Sequence, residues 1–159
     1  QFINDLSEIL KVNIKEYPSE NVVLSVDEIR NMASDMDIGS HTQSHRILSK
    51  LDYETMKKEI SGSKEEIEHW ISKACNTFSY PFGQKNSFNK KSQDILKEQG
   101  FSCAVTSING INNSNIDRYN LRRFMVPNKG GYAFKYWLMQ IYFYDNERME
   151  KLIKWVENI

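Results

Sequence analysis

Strands alternating with helices predict an α/β fold built on a parallel sheet. Three observations carry that expectation. Tyr53, Met56, Ile60, Ile67, Trp70 and Ile71 recur at three-and-four spacing, as one face of a long helix. Phe78-Ser79-Tyr80 is strand-like, and in Phe101 to Thr106 the residues Phe101, Cys103 and Val105 alternate with Ser102, Ala104 and Thr106. A second helix, about Asn89 to Gln99, separates those two strands and is stopped by Gly100.

The remaining elements follow in order. Phe2, Ile3, Leu6, Ile9 and Leu10 share one helical face. After a loop with Pro18, Val22-Val23-Leu24 reads as a short strand. Ser25 with Glu28 forms a capping box that opens a helix through about Ala33. Asp37 to His41 reads as a strand ending at Gly39-Ser40-His41. In the long helix that follows, Lys and Glu fill the face opposite the apolar one. Pro81-Phe82-Gly83 stops the strand at 78–80. An Asn-rich loop at 109–115 leads to a last strand, Leu121 to Val126. The end is helical, from Phe134 to about Ile141 and again through Met149, Leu152, Ile153 and Val156.

A chain of 159 residues suits one domain with a sizeable core, residues 128–159 forming a helical C-terminal segment. With 21 basic and 21 acidic residues there is no global field to attract nucleic acid. No run reaches the roughly 18 apolar residues of a membrane span; the most apolar stretch, Tyr136 to Tyr144, is broken by Gln140. Cys75 and Cys103 form no CxxC pair and read as buried free thiols. Beginning at Gln1, the chain reads as starting downstream of its natural N-terminus.

The chemistry gathers at Asp37-Ile38-Gly39-Ser40-His41-Thr42-Gln43-Ser44-His45. Two of the three histidines stand four residues apart, a spacing that puts both imidazoles on one side of a helical turn and within reach of a single ion. Imidazole suits zinc and similar first-row metals. A solvated loop pair is the competing reading. Placement at the carboxyl end of a strand, where barrel and open-sheet enzymes keep their sites, favours ligands. A zincin is excluded, because Thr42 stands where a metalloprotease needs Glu. Asp37 lies roughly 13 Å down the strand and does not share the ion, so a third ligand is not visible near the pair.

This segment, with Leu48 and Leu51 behind it, resembles the H-[ST]-x-x-H metal motif of the polysaccharide deacetylases with a NodB homology domain (carbohydrate esterase family 4). Phe78-Ser79-Tyr80-Pro81-Phe82-Gly83 is similar to that family's next motif. Ile95 to Phe101, Ala104-Val105-Thr106 and Leu121-Arg122-Arg123-Phe124 follow in the family's order. The resemblance covers about residues 22–127 and implies a distorted, incomplete (β/α) barrel of the NodB type.

The resemblance implies metal-assisted hydrolysis of N-acetyl, less often O-acetyl, groups on a cell-wall or surface polysaccharide. It assigns His41 and His45 to a divalent metal, zinc by preference. It makes the Tyr80 backbone N–H the oxyanion donor and sets Tyr80, Pro81 and Phe82 along the sugar groove, with core packing as the other reading of those aromatics. Arg123 is the candidate for orienting the catalytic carboxylate, where many members use an Arg at the position of Ser79; a surface Arg is the alternative. The family's Thr-Phe-Asp-Asp motif, source of base and third ligand, does not occur here, nor does a later catalytic His. His69 reads as a helix-surface residue. Either the chain is a piece of a longer protein whose first strands carry the Asp pair, or it is a non-catalytic, glycan-binding relative. In the first case an open barrel edge needs cover, from the N-terminal helix or a second copy of the chain.

Overall fold

In a computed structural model of the protein, the described residues are 23–126, 128 and 130–142, with the side chains of 140 and 142 excepted. The expected helices at 2–10 and 149–156 lie outside them. The chain falls into two units that divide between Met36 and Asp37.

In the first unit, helix α1 spans Val26–Asp35. Its capping box is formed as the sequence implied: the Ser25 side chain accepts from the Glu28 N–H, and Glu28 accepts from the Ser25 N–H at 2.7 Å. Val23 and Leu24 are not a strand; both are exposed and pair with no neighbour among the described residues.

The second unit is α/β. Strand β1, Thr77–Ser79, pairs in parallel with β2, Cys103–Val105, in the register Phe78 to Ala104. Single parallel bridges extend this pair on both sides, Ser40 to Phe78 and Val105 to Leu121. Four parallel segments therefore succeed one another in chain order. Helix α2, Tyr53–Ile71, connects the first to the second, and α3, Lys90–Glu98, connects β1 to β2. Both helices start on side-chain caps: Asp52 accepts from the Thr55 N–H, and Asn89 exchanges bonds with Ser92. Helix α4 spans Gly131–Tyr142, beginning three residues before the expected Phe134.

Two expected strands shrink to bridges. At Ser40 the chain pairs with Thr77 and Ser79 through two bonds of 2.9 Å, then leaves the sheet because Thr42 turns to a left-handed φ of 66°. At Leu121 the pairing with β2 ends because the Arg123 N–H turns to the Ile108 carbonyl at 3.2 Å, while on the outer edge the Asn112 side chain takes both backbone groups of Arg122, each at 2.9 Å. An amide side chain thus stands where a neighbouring strand would otherwise pair.

The core lies between β1, β2 and the two connecting helices, with Leu48, Met56, Ile60, Phe78, Tyr80, Phe88, Ile95, Leu96 and Phe101 buried together. Phe78 meets Tyr80 and Phe101 edge-on, and Tyr80 stacks on Phe88 at 4.2 Å between centroids. Cys75 is buried as expected, and burial pushes its thiol pKa up; Cys103 is only half-buried. Among the described residues no helix is long and apolar enough to cross a membrane.

Candidate metal centre

The four parallel segments deliver their carboxyl ends side by side. Ser40 is followed by His41, Ser79 by Tyr80-Pro81-Phe82, Val105 by Thr106-Ser107, and Leu121 by Arg122-Arg123. This is the end of a parallel sheet at which ligand sites form.

The histidines do not stand on a helical turn, contrary to what the i, i+4 spacing suggested. They occupy a loop whose Thr42 and His45 both have positive φ, 66° and 56°. The Thr42 hydroxyl accepts from the His45 N–H at 3.1 Å and closes the loop. The loop brings the two rings together all the same, edge-on, with centroids 4.8 Å apart. His41 Nδ1 donates to the Ser79 carbonyl at 2.7 Å, across the gap between the first two segments. A carbonyl only accepts, so the proton sits on Nδ1 and the lone pair on Nε2. Histidines that ligate metals are oriented by such a second bond.

The donor set therefore fits a divalent ion in part. Two imidazoles converge, one with its tautomer fixed. Among the described residues no group of three or more His, Cys, Asp or Glu is placed to hold an ion. The third ligand that a catalytic site of this type needs is not among them.

Phe82 is the next member of the site. Its φ is 62°, its side chain is 55% exposed, and its ring meets His45 edge-on at 5.0 Å. Of the four non-glycine residues with positive φ among those described, Thr42, His45 and Phe82 all lie here. Such conformations cost about 1–3 kcal/mol each and gather at functional sites. Gly83, φ 64°, follows because a Cβ there would come within 2.5 Å of the Ser107 nitrogen. Ser107 ties the turn down: its N–H donates to the Gly83 carbonyl at 3.0 Å and its hydroxyl to the Phe82 carbonyl.

Tyr80 requires a correction. Its ring is buried in the core and its hydroxyl donates to the Tyr119 carbonyl at 2.9 Å, so its side chain lines no groove. Its backbone N–H donates to the Val105 carbonyl at 3.1 Å, a ladder bond of the sheet, and is not available as an oxyanion donor. Pro81 is buried and has no N–H. The Phe82 N–H is the one in this turn without an acceptor among the described residues.

Arg123 is joined to neither histidine by a hydrogen bond or ion pair among the described residues. It lines an open cleft of about 500 Å³ with Gln84, Ser107, Asn109, Phe124 and Met125. The cleft borders the Phe82 turn, because Gln84 donates to Ser107 at 3.1 Å. His69 is an exposed residue of α2, as expected.

Sequence reasoning missed Glu59. It is 92% buried, only 8% exposed, on a helix whose charged residues were expected on the outer face. It accepts from the Gln43 and Ser44 N–H groups at 3.1 and 2.9 Å and from the Ser44 hydroxyl. Burial raises its carboxyl pKa, but the Ser44 and Gln43 bonds and the Arg46 charge outweigh that and hold it below 4.5. The signal was present: Glu59 and Ser63 share the inward arc of α2 with Met56 and Ile60.

Comparison with known proteins identifies the family and the fold. The family model described as polysaccharide deacetylase matches residues 9–104, well over half of the chain. No curated protein matches significantly. Among solved structures, the Streptococcus pyogenes deacetylase PplD in complex with acetate is 19% identical at a TM-score of 0.67, over 77% of this chain and 53% of its own. A de-N-acetylase from Aggregatibacter actinomycetemcomitans is 20% identical, TM-score 0.59, over 73% of this chain and 53% of its own. A polysaccharide deacetylase from Bacillus cereus is 26% identical, TM-score 0.55, over 66% of this chain and 33% of its own. The chain thus spans about half or less of these solved relatives. The fold is the α/β fold of those deacetylases, present as an incomplete barrel. On its sequence match over residues 9–104, the chain belongs to the polysaccharide deacetylase family.

Proposed function

We propose that this chain forms part of a metal-dependent deacetylase acting on N-acetyl groups, less often O-acetyl groups, of a polysaccharide. The observation that carries the reading is the edge-on pair His41 and His45 at a strand end, with the His41 tautomer set by Ser79. His41 Nε2 and a ring nitrogen of His45 would hold a divalent cation, zinc by preference for an imidazole-rich set. Such an ion activates water and polarises a carbonyl. A site of this type takes a third protein ligand and a general base besides the two imidazoles.

The chain's own residues have three tasks. The loop at 41–45 holds the imidazoles together. The Phe82 N–H, rather than that of Tyr80, faces the developing oxyanion, because it is the donor in the turn that the sheet leaves uncommitted. The exposed Phe82 ring offers an apolar face for a sugar beside His45. Arg123, in the adjoining cleft, either orients the base or binds a neighbouring sugar. One solved relative holds acetate, the acid that hydrolysis of an acetamide releases.

A second reading, glycan binding without turnover, is favoured by Ser79 standing where many family members carry Arg. Acetate release from N-acetylglucosamine oligomers by the natural protein that carries this chain separates the two. The first reading expects release that a chelator removes, zinc restores and His41→Ala abolishes. Oligomer binding without any release, zinc present, would leave the second.

A further inference from the structure

A single face of α2 packs against the loop between the two histidines. Glu59, Gly62 and Ser63 stand at i, i+3 and i+4, the spacing that aligns side chains on one side of a helix. Together they meet Ser40, Gln43 and Ser44 of the segment 40–44. Glu59 receives both backbone N–H groups at Gln43 and Ser44 and the Ser44 hydroxyl. Ser63 shares a buried 2.6 Å hydrogen bond with Ser40, the residue before His41. At Gly62 a Cβ would lie 2.6 Å from Gln43 Cδ, so the missing side chain is the space the Gln43 amide occupies.

Within the loop the Thr42 hydroxyl takes the His45 N–H, which leaves the Gln43 and Ser44 amides to Glu59. Gln43 and Ser44 are exposed residues, and Thr42 and His45 are in the left-handed region. Two consecutive N–H groups aimed at one carboxylate oxygen require the backbone between Thr42 and His45 to take this turn. That turn, together with the Ser79 bond to His41, sets the two rings edge-on. A buried carboxylate is costly unless its hydrogen bonds are made, so Glu59 and the loop fix each other.

We infer that Glu59 is a positioning residue: through the amides of Gln43 and Ser44 it holds the His41–His45 loop in the conformation that pairs the two imidazoles, with Gly62 and Ser63 completing the platform. This rests on the reading of the pair as metal ligands for its purpose, but not for its existence. A Gln at 59 keeps the arrangement, because its amide oxygen accepts from the two N–H groups and its NH2 donates to the Ser44 hydroxyl. An Ala does not.

The test compares the full chain with Glu59→Ala, Glu59→Gln and Ile95→Val, the last a core change away from the loop. Amide exchange at Gln43 and Ser44 and the nuclear Overhauser contact between the His41 and His45 rings report the loop without any metal. The expected result is slowed exchange and a ring contact in the parent, in Glu59→Gln and in Ile95→Val. In Glu59→Ala the contact is lost and exchange at both amides is about tenfold faster or more. Retention of both signals in Glu59→Ala, or equal loss in Ile95→Val, overturns the proposal. Zinc competition with a chromophoric chelator is read in parallel. Affinity falling about 10–100-fold in Glu59→Ala alone is the effect of a residue that orients ligands. If the parent binds no zinc, the metal reading fails while the loop signals still decide the role of Glu59.

Discussion

His41 Nδ1 lies 2.7 Å from the Ser79 carbonyl oxygen, so the first histidine of the pair is oriented by the last residue of β1. The bond joins two adjacent parallel segments just beyond the point where their backbones part. It makes the site a property of strand order as well as of the motif that carries the histidines.

Gly83→Ala is expected to destabilise the protein by more than about 1–2 kcal/mol, the left-handed cost alone, because φ is 64° and the new Cβ meets backbone at Ser107. Denaturant midpoints measure it. A neutral outcome would mean the Phe82–Gly83 turn is not held against Ser107 as described.

Phe82→Ala should behave in the opposite way. The ring is over half exposed, so stability should change by only about 0.5 kcal/mol. Oligosaccharide binding, followed by calorimetry, should weaken if the ring lies along the sugar path. Unchanged binding would remove Phe82 from the groove.

Tyr80→Phe leaves the Tyr119 carbonyl without its bond and should cost about 0.5–1.5 kcal/mol. Burial, with Asp117 and Tyr119 adding, pushes the Tyr80 hydroxyl above the ordinary tyrosine range, so it stays protonated at working pH. Metal affinity should be unaltered by this variant. A large fall in affinity would return Tyr80 to the site.

Acid should weaken the loop anchor. Burial pushes the Glu59 carboxyl up, but the Ser44 and Gln43 hydrogen bonds and the Arg46 charge together hold it below its ordinary value in the folded chain. Its contribution is thus present above about pH 4.5 and is lost as pH falls through the folded value. Unfolding midpoints at pH 7 and pH 4 should differ less in Glu59→Gln than in the parent. Equal differences would mean Glu59 gains nothing from its partners.

Much of this was legible in the sequence where pattern and physics coincide. The α2 stripe and the Ser25–Glu28 box each have a local cause and appear within a few residues of their expected places; β2 forms inside 101–106, but its alternation is inverted, with Ala104 and Thr106 buried and Cys103 and Val105 only partly so. What was not legible depends on contacts distant in sequence. The segment at Leu121 leaves β2 as Arg123 turns to Ile108, with Asn112 capping its outer edge at Arg122, and the Tyr80 N–H is consumed by Val105. Neither partner can be chosen from spacing. The histidine spacing predicted two neighbouring rings on a helical turn; a left-handed loop brings them together instead. Glu59 was hidden because a Glu on a helix is usually solvated, and only its place on the buried arc betrays it.

Zinc content after exhaustive dialysis, compared between the parent protein and the His41→Ala, His45→Ala double variant, tests the central claim most directly. The account predicts about one ion per chain in the parent and none above background in a double variant that remains folded by circular dichroism. Equal zinc in the two proteins would contradict it.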